Sequence, residues 1–573
     1  MLCVGIDFGS TYTTVSIYRE ETGVPEAQTL SEGGTPFIPS VLTLSKGQIR
    51  VGREAKSMSM MGRKKDMQTF RAFKMMLAEE NEDVLMDRGF TVEYTPETIT
   101  ESFLENVLKQ VLHNVHEEKI DHLVVGVPEI WNSTLTTIDG RSRLRDICRS
   151  FPFVDKNGVQ IVSEPAAASA FFAYNFRQMV GENFNGKLLL VDYGGGTLDI
   201  TLNEVEVRSD KNGQEGMEIR ILHRTGAGEN EHRQIGKASI VYMESLLEAA
   251  IRQELPDMPI VHDAHFYRAL DSLELQLQEC TNIIKGVFDE YGTDPDDLSE
   301  DEMDEDDFIF TEILYKGMDI GISYQLMVEV YNDIIRDVFD EKMEEVIQYM
   351  KDKNIDYMNR NDQSFKIVLV GGFGNYYLVK KQMTDKFQFS SSDERQKNII
   401  RKREDCEKAI SLGAALLASN VLRIRNTAPY SIGIRVRDEE RISLTYGLHY
   451  NQDIDFNKVY MQRDAFGNLV VMVSVTGDIN GFIINLRDDD RYAMEMYPKE
   501  EIRKRLKQAI TNTDGTAVIG FSLDSSGVIS LHIYDYDIFT EKIGTKGHVI
   551  ELTNFRELFD MQTVKKVYKY DGI

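Results

Sequence analysis

Two acidic residues hold equivalent places in two look-alike stretches of this chain, and their surroundings are suited to phosphate chemistry. In the first stretch, Lys187-Leu188-Leu189-Leu190-Val191 leads into Asp192-Tyr193. Gly194-Gly195-Gly196 follows, then Thr197-Leu198-Asp199-Ile200-Thr201. The pattern reads as strand, tight turn, strand. Successive residues without Cβ let backbone N–H groups close around a phosphate. Asp192, at the mouth of the turn, is placed to hold the hydrated Mg²⁺ of a nucleotide. The plainer alternative is a glycine-rich hairpin without a ligand. The second stretch, Val4-Gly5-Ile6-Asp7-Phe8-Gly9-Ser10-Thr11-Tyr12-Thr13-Thr14-Val15, repeats the grammar of strand, Asp, glycine turn, hydroxyls and strand. Two such hairpins predict a duplicated fold with a nucleotide in the cleft between its halves. A third glycine site, Gly371-Gly372-Phe373-Gly374, again ends an apolar run, Ile367-Val368-Leu369-Val370.

These loops need elements to aim them. Val159–Ser163 reads as a strand, after which Ser163 or Glu164 starts a helix with Pro165 in its first turn. Glu164 is thereby aimed from a fixed position, or else serves only as a helix cap. Lys74 stands in the apolar frame Thr69-Phe70-Arg71-Ala72-Phe73-Lys74-Met75-Met76-Leu77. Alone, such a lysine reads as an ordinary surface residue. Residues 101–118 carry apolar side chains at helical spacing and lead into the strand Asp121–Pro128. Residues 324–351 read as one long helix before the third glycine site.

The chain has 573 residues, 42% of them hydrophobic, enough for two or more domains with sizeable cores. Its formal charge of −29 argues against nucleic acid and against anionic membrane surfaces as partners. Cys3, Cys148, Cys280 and Cys406 lack metal-ligand spacing and read as reduced thiols of a cytoplasmic protein. The N-terminus enters a strand with no basic-then-apolar leader, so no signal peptide is expected. No apolar run is long enough for a membrane span. The acidic run 289–307 reads as a solvated insertion rather than a Ca²⁺ loop, since the fixed Asp-x-Asp-x-Asp-Gly pattern is missing.

The three glycine sites, in this order, resemble the actin-like ATPase superfamily and, within it, the seventy-kilodalton heat-shock chaperones (heat shock protein 70 family). The resemblance implies an α/β fold: a two-lobed actin-like (ribonuclease H-like duplicated) ATPase domain over residues 1–420, with 289–307 inserted. A linker at 421–426 and a mainly β substrate-binding domain over 427–573, without the family's helical lid, would follow. It implies ATP/ADP and Mg²⁺ as cofactors, with Asp7 and Asp192 holding the metal. Glu164 and Asp192 would orient water, and Lys74 and Thr197 would face the γ-phosphate. Gly9, Ser10, Thr11, Tyr12, Gly194, Gly195, Gly196, Gly228, Lys285, Gly371, Gly372 and Phe373 would contact the nucleotide.

The chain also departs from the family. Asn282-Ile283 replaces Lys-Arg over adenosine, leaving Lys285 nearby, and Phe373-Gly374-Asn375 replaces Ser-Thr-Arg. Base discrimination should therefore be poorer, with Phe373 offering a stacking surface in return. Glu129-Ile130-Trp131-Asn132 differs from the family after its Val-Pro. Arg423 and Arg425 interrupt the family's apolar linker, which predicts weaker docking between domains. The helix at 498–510 has no counterpart in the family, and the tail 553–570 has room for one short helix at most.

The function this implies is an ATP-hydrolysing chaperone that binds unfolded or extended polypeptide. The alternatives are an ATPase switch for a dedicated protein partner or co-chaperone, and a small-molecule kinase of the same superfamily.

Overall fold

The computed structural model describes the chain apart from residues 31–33, 61–66, 80, 130, 132–139, 210–214, 228–238, 264, 275, 277–308, 359–363, 389–398, 401–406, 426, 429, 435, 439–440, 444–445, 457, 465, 474–480, 486–492, 512–515, 525–526, 553–557 and 564–573. The acidic run 289–307 therefore lies outside the described residues.

The apolar runs of the sequence become strands buried on both faces, as expected where helices cover a partly parallel sheet. The first sheet contains β1 (Cys3–Phe8), β2 (Tyr12–Tyr18), β3 (Pro25–Ala27), β4 (His122–Val127) and β5 (Val159–Ser163), in the order β3-β2-β1-β4-β5. β1 and β2 form an antiparallel hairpin, whereas β4 runs parallel to β1, and β5 parallel to β4. The second sheet contains β6 (Gly186–Tyr193), β7 (Leu198–Ser209), β8 (Glu215–Ala227), β9 (Phe365–Val370) and β10 (Ile399–Ile400). Its order is β8-β7-β6-β9-β10, again a hairpin meander followed by two parallel neighbours. The two sheets thus share one topology, with Asp7 and Asp192 near the ends of corresponding strands.

Helices α1 (Gly140–Ser150), α2 (Glu164–Val180), α3 (Ser239–Glu254) and α4 (Ala409–Ala418) pack around them. Ser163 caps α2 by accepting from the Ala166 N–H, Pro165 lies in the first turn, and Gly181 ends the helix at φ 81°. α4 approaches its neighbours backbone to backbone. A Cβ on Gly413 would fall 1.7 Å from the Ala167 carbonyl oxygen, and one on Gly5 would fall 2.2 Å from the Ala415 nitrogen. Small residues are what let this helix lie against both α2 and β1.

The long helix expected over 324–351 is interrupted. It runs as Tyr324–Tyr331, a π-helical turn at Asn332–Arg336, and Asp337–Asp352. Tyr331, Ile335, Phe339, Met343 and Ile347 are all buried at four-residue intervals. That interval overruns a 3.6-residue turn, and one wide turn keeps all five on the core side.

Among the described residues, the C-terminal third contributes the two-stranded pair Val436–Asp438 with Arg441–Ser443 and two larger sheets. One joins Ser431–Ile434, Phe482–Asn485, Ala493–Pro498 and Phe559–Thr563; the other joins Tyr460–Met461, Val471–Val473, Thr516–Leu523, Ile529–Asp537 and Lys542–Glu551. They share a core with α5 (Glu500–Thr511), whose Ile502, Leu506 and Ile510 pack among Phe482, Phe521 and Leu531. The tail, with room for one short helix at most, holds a strand, Phe559–Thr563. The edge of Ala493–Pro498 offers a row of backbone partners, and Phe559 fills the core against Phe482, with ring centroids 5.1 Å apart.

The linker corrects a second expectation. Arg423–Arg425 forms β11, pairing parallel with Glu218–Arg220 at the outer edge of the second sheet. Edge pairing requires backbone groups rather than an apolar run. Ile424 packs beside the buried Ile219 and Leu422, Arg423 is exposed, and Arg425 bonds to Asp453. A second tether ties the C-terminal sheets to α1. The fully buried Arg145 lies 2.9 Å from Asp524 and 3.1 Å from Glu551.

Replacing Ile424 with proline removes a backbone donor and an apolar contact from β11. Limited trypsin digestion should then cut after Arg425 roughly tenfold faster, the effect of about 1.4 kcal/mol in local opening, while the bond after Arg423, now followed by proline, itself resists trypsin. Unchanged digestion would show that this strand does not hold the linker in place.

Candidate functional site

Strand register brings the acidic groups together. Asp7 is paired with Gly126 on β4, and Gly126 with Val162 on β5, two residues before Glu164. A Cβ on Gly126 would fall 3.2 Å from Glu164 Cγ, so glycine leaves the room that Glu164 occupies. In the second sheet Asp192 is paired with Val370, and Gly371 follows at φ 79°. A Cβ on Gly371 would fall 2.7 Å from Asp192 Oδ1 and 2.4 Å from the Tyr193 carbonyl oxygen. Glycine is required there both by conformation and by space.

The two hairpin turns meet. A Cβ on Gly195 would fall 2.3 Å from Thr11 Oγ1, and one on Gly196 would fall 2.6 Å from Ser10 Oγ and 3.1 Å from Met75 Cγ. Gly194 N–H donates to the Thr197 carbonyl at 3.0 Å, closing the second turn, and the Gly195 carbonyl accepts from Ile240 at the start of α3. Met75 belongs to the short helix Phe73–Met76, which follows Ala72 at φ 52° and carries Lys74. Lys74 Nζ donates to Glu164 Oε1, and both residues are buried. Asp7, Ser10, Thr11, Lys74, Glu164, Asp192, Gly194, Gly195, Gly196, Thr197 and Gly371 therefore converge on one region.

The charges do not balance. Asp7, Glu164 and Asp192 interact with one another, and Lys74 is the cation that acts on both aspartates. Burial pushes Asp7 up to about 7; the Glu164 carboxylate pushes the same way and Lys74 opposes it. Asp192 is raised well above the ordinary carboxylate range by burial, then by Glu164, Asp199 and Asp7. Asp192 Oδ2 is buried without a hydrogen-bond partner among the described residues. An unpartnered buried carboxylate oxygen, surplus negative charge and turns too tight for a Cβ together suit a divalent cation carried by a phosphate group.

A cleft of about 1370 Å³ opens from Ser10 and Thr11 toward Arg71, Tyr267, Asp271 and Glu274. Across it, Lys56 Nζ lies 3.2 Å and Arg71 Nη1 3.2 Å from the same Asp271 carboxylate oxygen. Tyr12 belongs to this outer wall, its hydroxyl 3.5 Å from Lys56 Nζ.

Phe373 is not presented to the cleft for stacking. It is 7% exposed, with its ring centroid 4.9 Å from that of Tyr193 and 5.1 Å from that of Tyr376. Tyr193, just before the Gly194–Gly196 turn, and Tyr376, just after the third glycine site, form an aromatic cluster that draws this ring inward. Gly372 remains exposed beside it. Gly228, Asn282, Ile283 and Lys285 lie outside the described residues.

Two groups at the site carry no role in the sequence reading. Asp199 faces Asp192 across the hairpin and is fully buried. An acid two residues after Thr197, inside a strand that must be buried, was the signal. The Lys56–Asp271–Arg71 crossing joins distant segments that no local pattern connects.

Comparison with known proteins covers the N-terminal part of this chain. A family model described as Hsp70 protein matches residues 3–209. A chaperone protein DnaK from Mycoplasmoides gallisepticum (strain R(low / passage 15 / clone 2)) is 27% identical over 209 residues, 36% of this chain and 31% of that protein. The DnaK of Elusimicrobium minutum (strain Pei191) is 29% identical over 205 residues, 35% of this chain and 30% of its own length. That of Thermoplasma volcanium is 28% identical over 208 residues, 36% of this chain and 30% of its own length. The matched stretch thus spans about a third of the length of these relatives. Among the described residues, no helix is long and apolar enough to cross a membrane.

The raised Asp7 sets a pH dependence. A carboxyl favoured as the neutral acid in the folded state contributes stability below its unfolded value of 3.8, which is lost as pH rises through about 7. The ligand-free protein should therefore melt at falling temperature between these values. Asp192→Asn should raise the ligand-free melting temperature at pH 8 by about 3 °C or more, by removing a buried carboxyl that its desolvation and its acidic neighbours disfavour. A lower melting temperature for this variant would mean that the carboxylates are compensated within the chain.

Proposed function

We propose, for a chain that is an Hsp70 family member over its N-terminal part, that it binds and hydrolyses ATP in the cleft between two lobes of an actin-like domain. The observation that carries this reading is Asp192. It is a buried carboxylate with an unpartnered oxygen, at the place where two glycine turns come within a methyl group of each other.

The proposed chemistry is positional and electrostatic. Backbone N–H groups of Gly194–Gly196, with the Ser10 and Thr11 hydroxyls, would cradle the phosphates. Mg²⁺ carried with the nucleotide, when held by Asp7 and Asp192, would supply the positive charge that offsets the phosphates and the surplus carboxylates. Lys74 donates to Glu164 and holds it at a fixed position. From there Glu164 can accept a hydrogen bond from an attacking water, with Asp192 orienting it from the opposite sheet. The Thr197 hydroxyl and the Lys74 ammonium would face the transferred phosphoryl group. Lys56 and Arg71 meet Asp271 across the mouth, which favours a cleft that holds its nucleotide.

In the same reading, the C-terminal sheets receive the consequence of hydrolysis and bind extended polypeptide. The paired β11 and the Arg145 contacts support mechanical coupling between the two parts. A general chaperone and a switch for one dedicated partner share this machinery. Stimulation of hydrolysis by an unfolded peptide separates them, since only the chaperone should respond to unrelated sequences.

Asp192→Asn should lower phosphate release at least about a hundredfold while leaving the fold intact. Lys74→Ala should lower turnover by a similar factor, with ATP affinity in calorimetry changed less than about tenfold. Normal turnover in Asp192→Asn would place the reaction elsewhere. Loss of affinity at unchanged turnover in Lys74→Ala would give that lysine a binding role alone.

A further inference from the structure

The outer face of α5 carries a charge opposite to that of the molecule. Ile502, Leu506, Ala509 and Ile510 turn into the shared core of the C-terminal sheets, which fixes the helix and leaves its other side to solvent. On that side Lys499, Arg503, Lys504, Arg505 and Lys507 are all exposed, against the acids Glu500 and Glu501. Arg503 and Lys507, one turn apart, share one flank; Lys504 lies near the crest and Arg505 on the other flank. Lys504 pairs with Glu500 four residues earlier, at side-chain exposures of 75% and 84%, and Arg503 donates to the Pro498 carbonyl. A chain of net charge −29 thus concentrates cations on a rigid ridge, held by an apolar face that has its own work in the core.

We propose that this ridge is a docking surface for an acidic, extended segment of another protein. The size of the patch selects the occupant. At physiological salt, charges act over about 8 Å, so a short acidic segment meets only the cations of the ridge. A nucleic acid or an anionic vesicle extends further and meets the acidic remainder of the molecule. A second copy of this chain brings its own net negative charge and is repelled as a whole. Guanidinium and ammonium groups spaced along a helix suit carboxylates presented along an extended chain. This surface is separate from the cleft and does not depend on nucleotide hydrolysis.

The test uses the full-length protein and a short fluorescein-labelled poly-glutamate peptide, read by fluorescence anisotropy at low and physiological salt. The wild-type protein should bind, with affinity falling as salt rises. Lys504→Glu/Arg505→Glu/Lys507→Glu should weaken binding by about tenfold or more, and the corresponding triple Gln variant by less. Circular dichroism melts of both variants should match the wild type, because none of the three side chains enters the core. The proposal is overturned if the wild type binds no peptide, or if the reversed variant binds as well as the wild type. It is equally overturned if a single-stranded oligonucleotide or a phosphatidylserine vesicle is held as tightly as the peptide. Concentration-dependent dimerisation that the variant abolishes would instead assign the ridge to self-association.

Discussion

Carboxylates held close together away from water repel one another strongly, and this repulsion organises the centre of the molecule. Asp7 and Asp192 arrive from two separate sheets, Glu164 from the first turn of a helix, and among the described residues Lys74 is the cation that opposes them. A cluster of this kind is unfavourable in isolation, since each buried ion loses hydration that its neighbours cannot return. The glycines at 126, 195, 196 and 371 allow the approach, because any Cβ at these places would meet a neighbouring atom. In the proposed reading, stability here is given up for a site that becomes comfortable when positive charge enters it. Function-related strain of this sort is expected at the places where local rules are broken.

The same constraint explains why much of this was legible in the sequence. An acid closing an apolar strand, followed by residues without Cβ, has few uses other than holding phosphate and metal. Both hairpins and the capped start of α2 follow from spacing alone. The strand order could not be read in the same way, since it depends on parallel pairings between segments far apart. Phe373 shows another limit. Its position after two glycines reads as a base contact, yet Tyr193, Tyr242 and Tyr376 offer an aromatic environment that no short motif reveals. Asp199 was visible as a residue but not as a participant, because only the hairpin register sets it opposite Asp192.

The linker misled for a related reason. Arginines at 423 and 425 break an apolar pattern, and side-chain patterning is the main signal a sequence gives. An edge strand is held by its backbone, so alternate positions are free to carry charge. Ile424 provides the single inward contact, while Arg425 finds Asp453. The buried Arg145 then completes a second attachment through Asp524 and Glu551, and its desolvation is offset by these carboxylates and Asp146. The C-terminal sheets are in this way tied both to the second sheet and to the helix that precedes α2, the helix Glu164 begins.

The central claim is that the carboxylate cluster awaits a metal-bound nucleotide, and proton exchange on binding tests it most directly. Isothermal titration of ATP with Mg²⁺ near pH 7, repeated in buffers of different ionisation enthalpy, reports the protons moved. A cation entering the cluster lowers carboxyl pKa values, so the account predicts net proton release, of the order of half a proton or more per ATP bound. It also predicts a smaller release in Asp7→Asn, which leaves Asp192 as the remaining raised carboxyl. Binding without proton release, or with proton uptake, would contradict it.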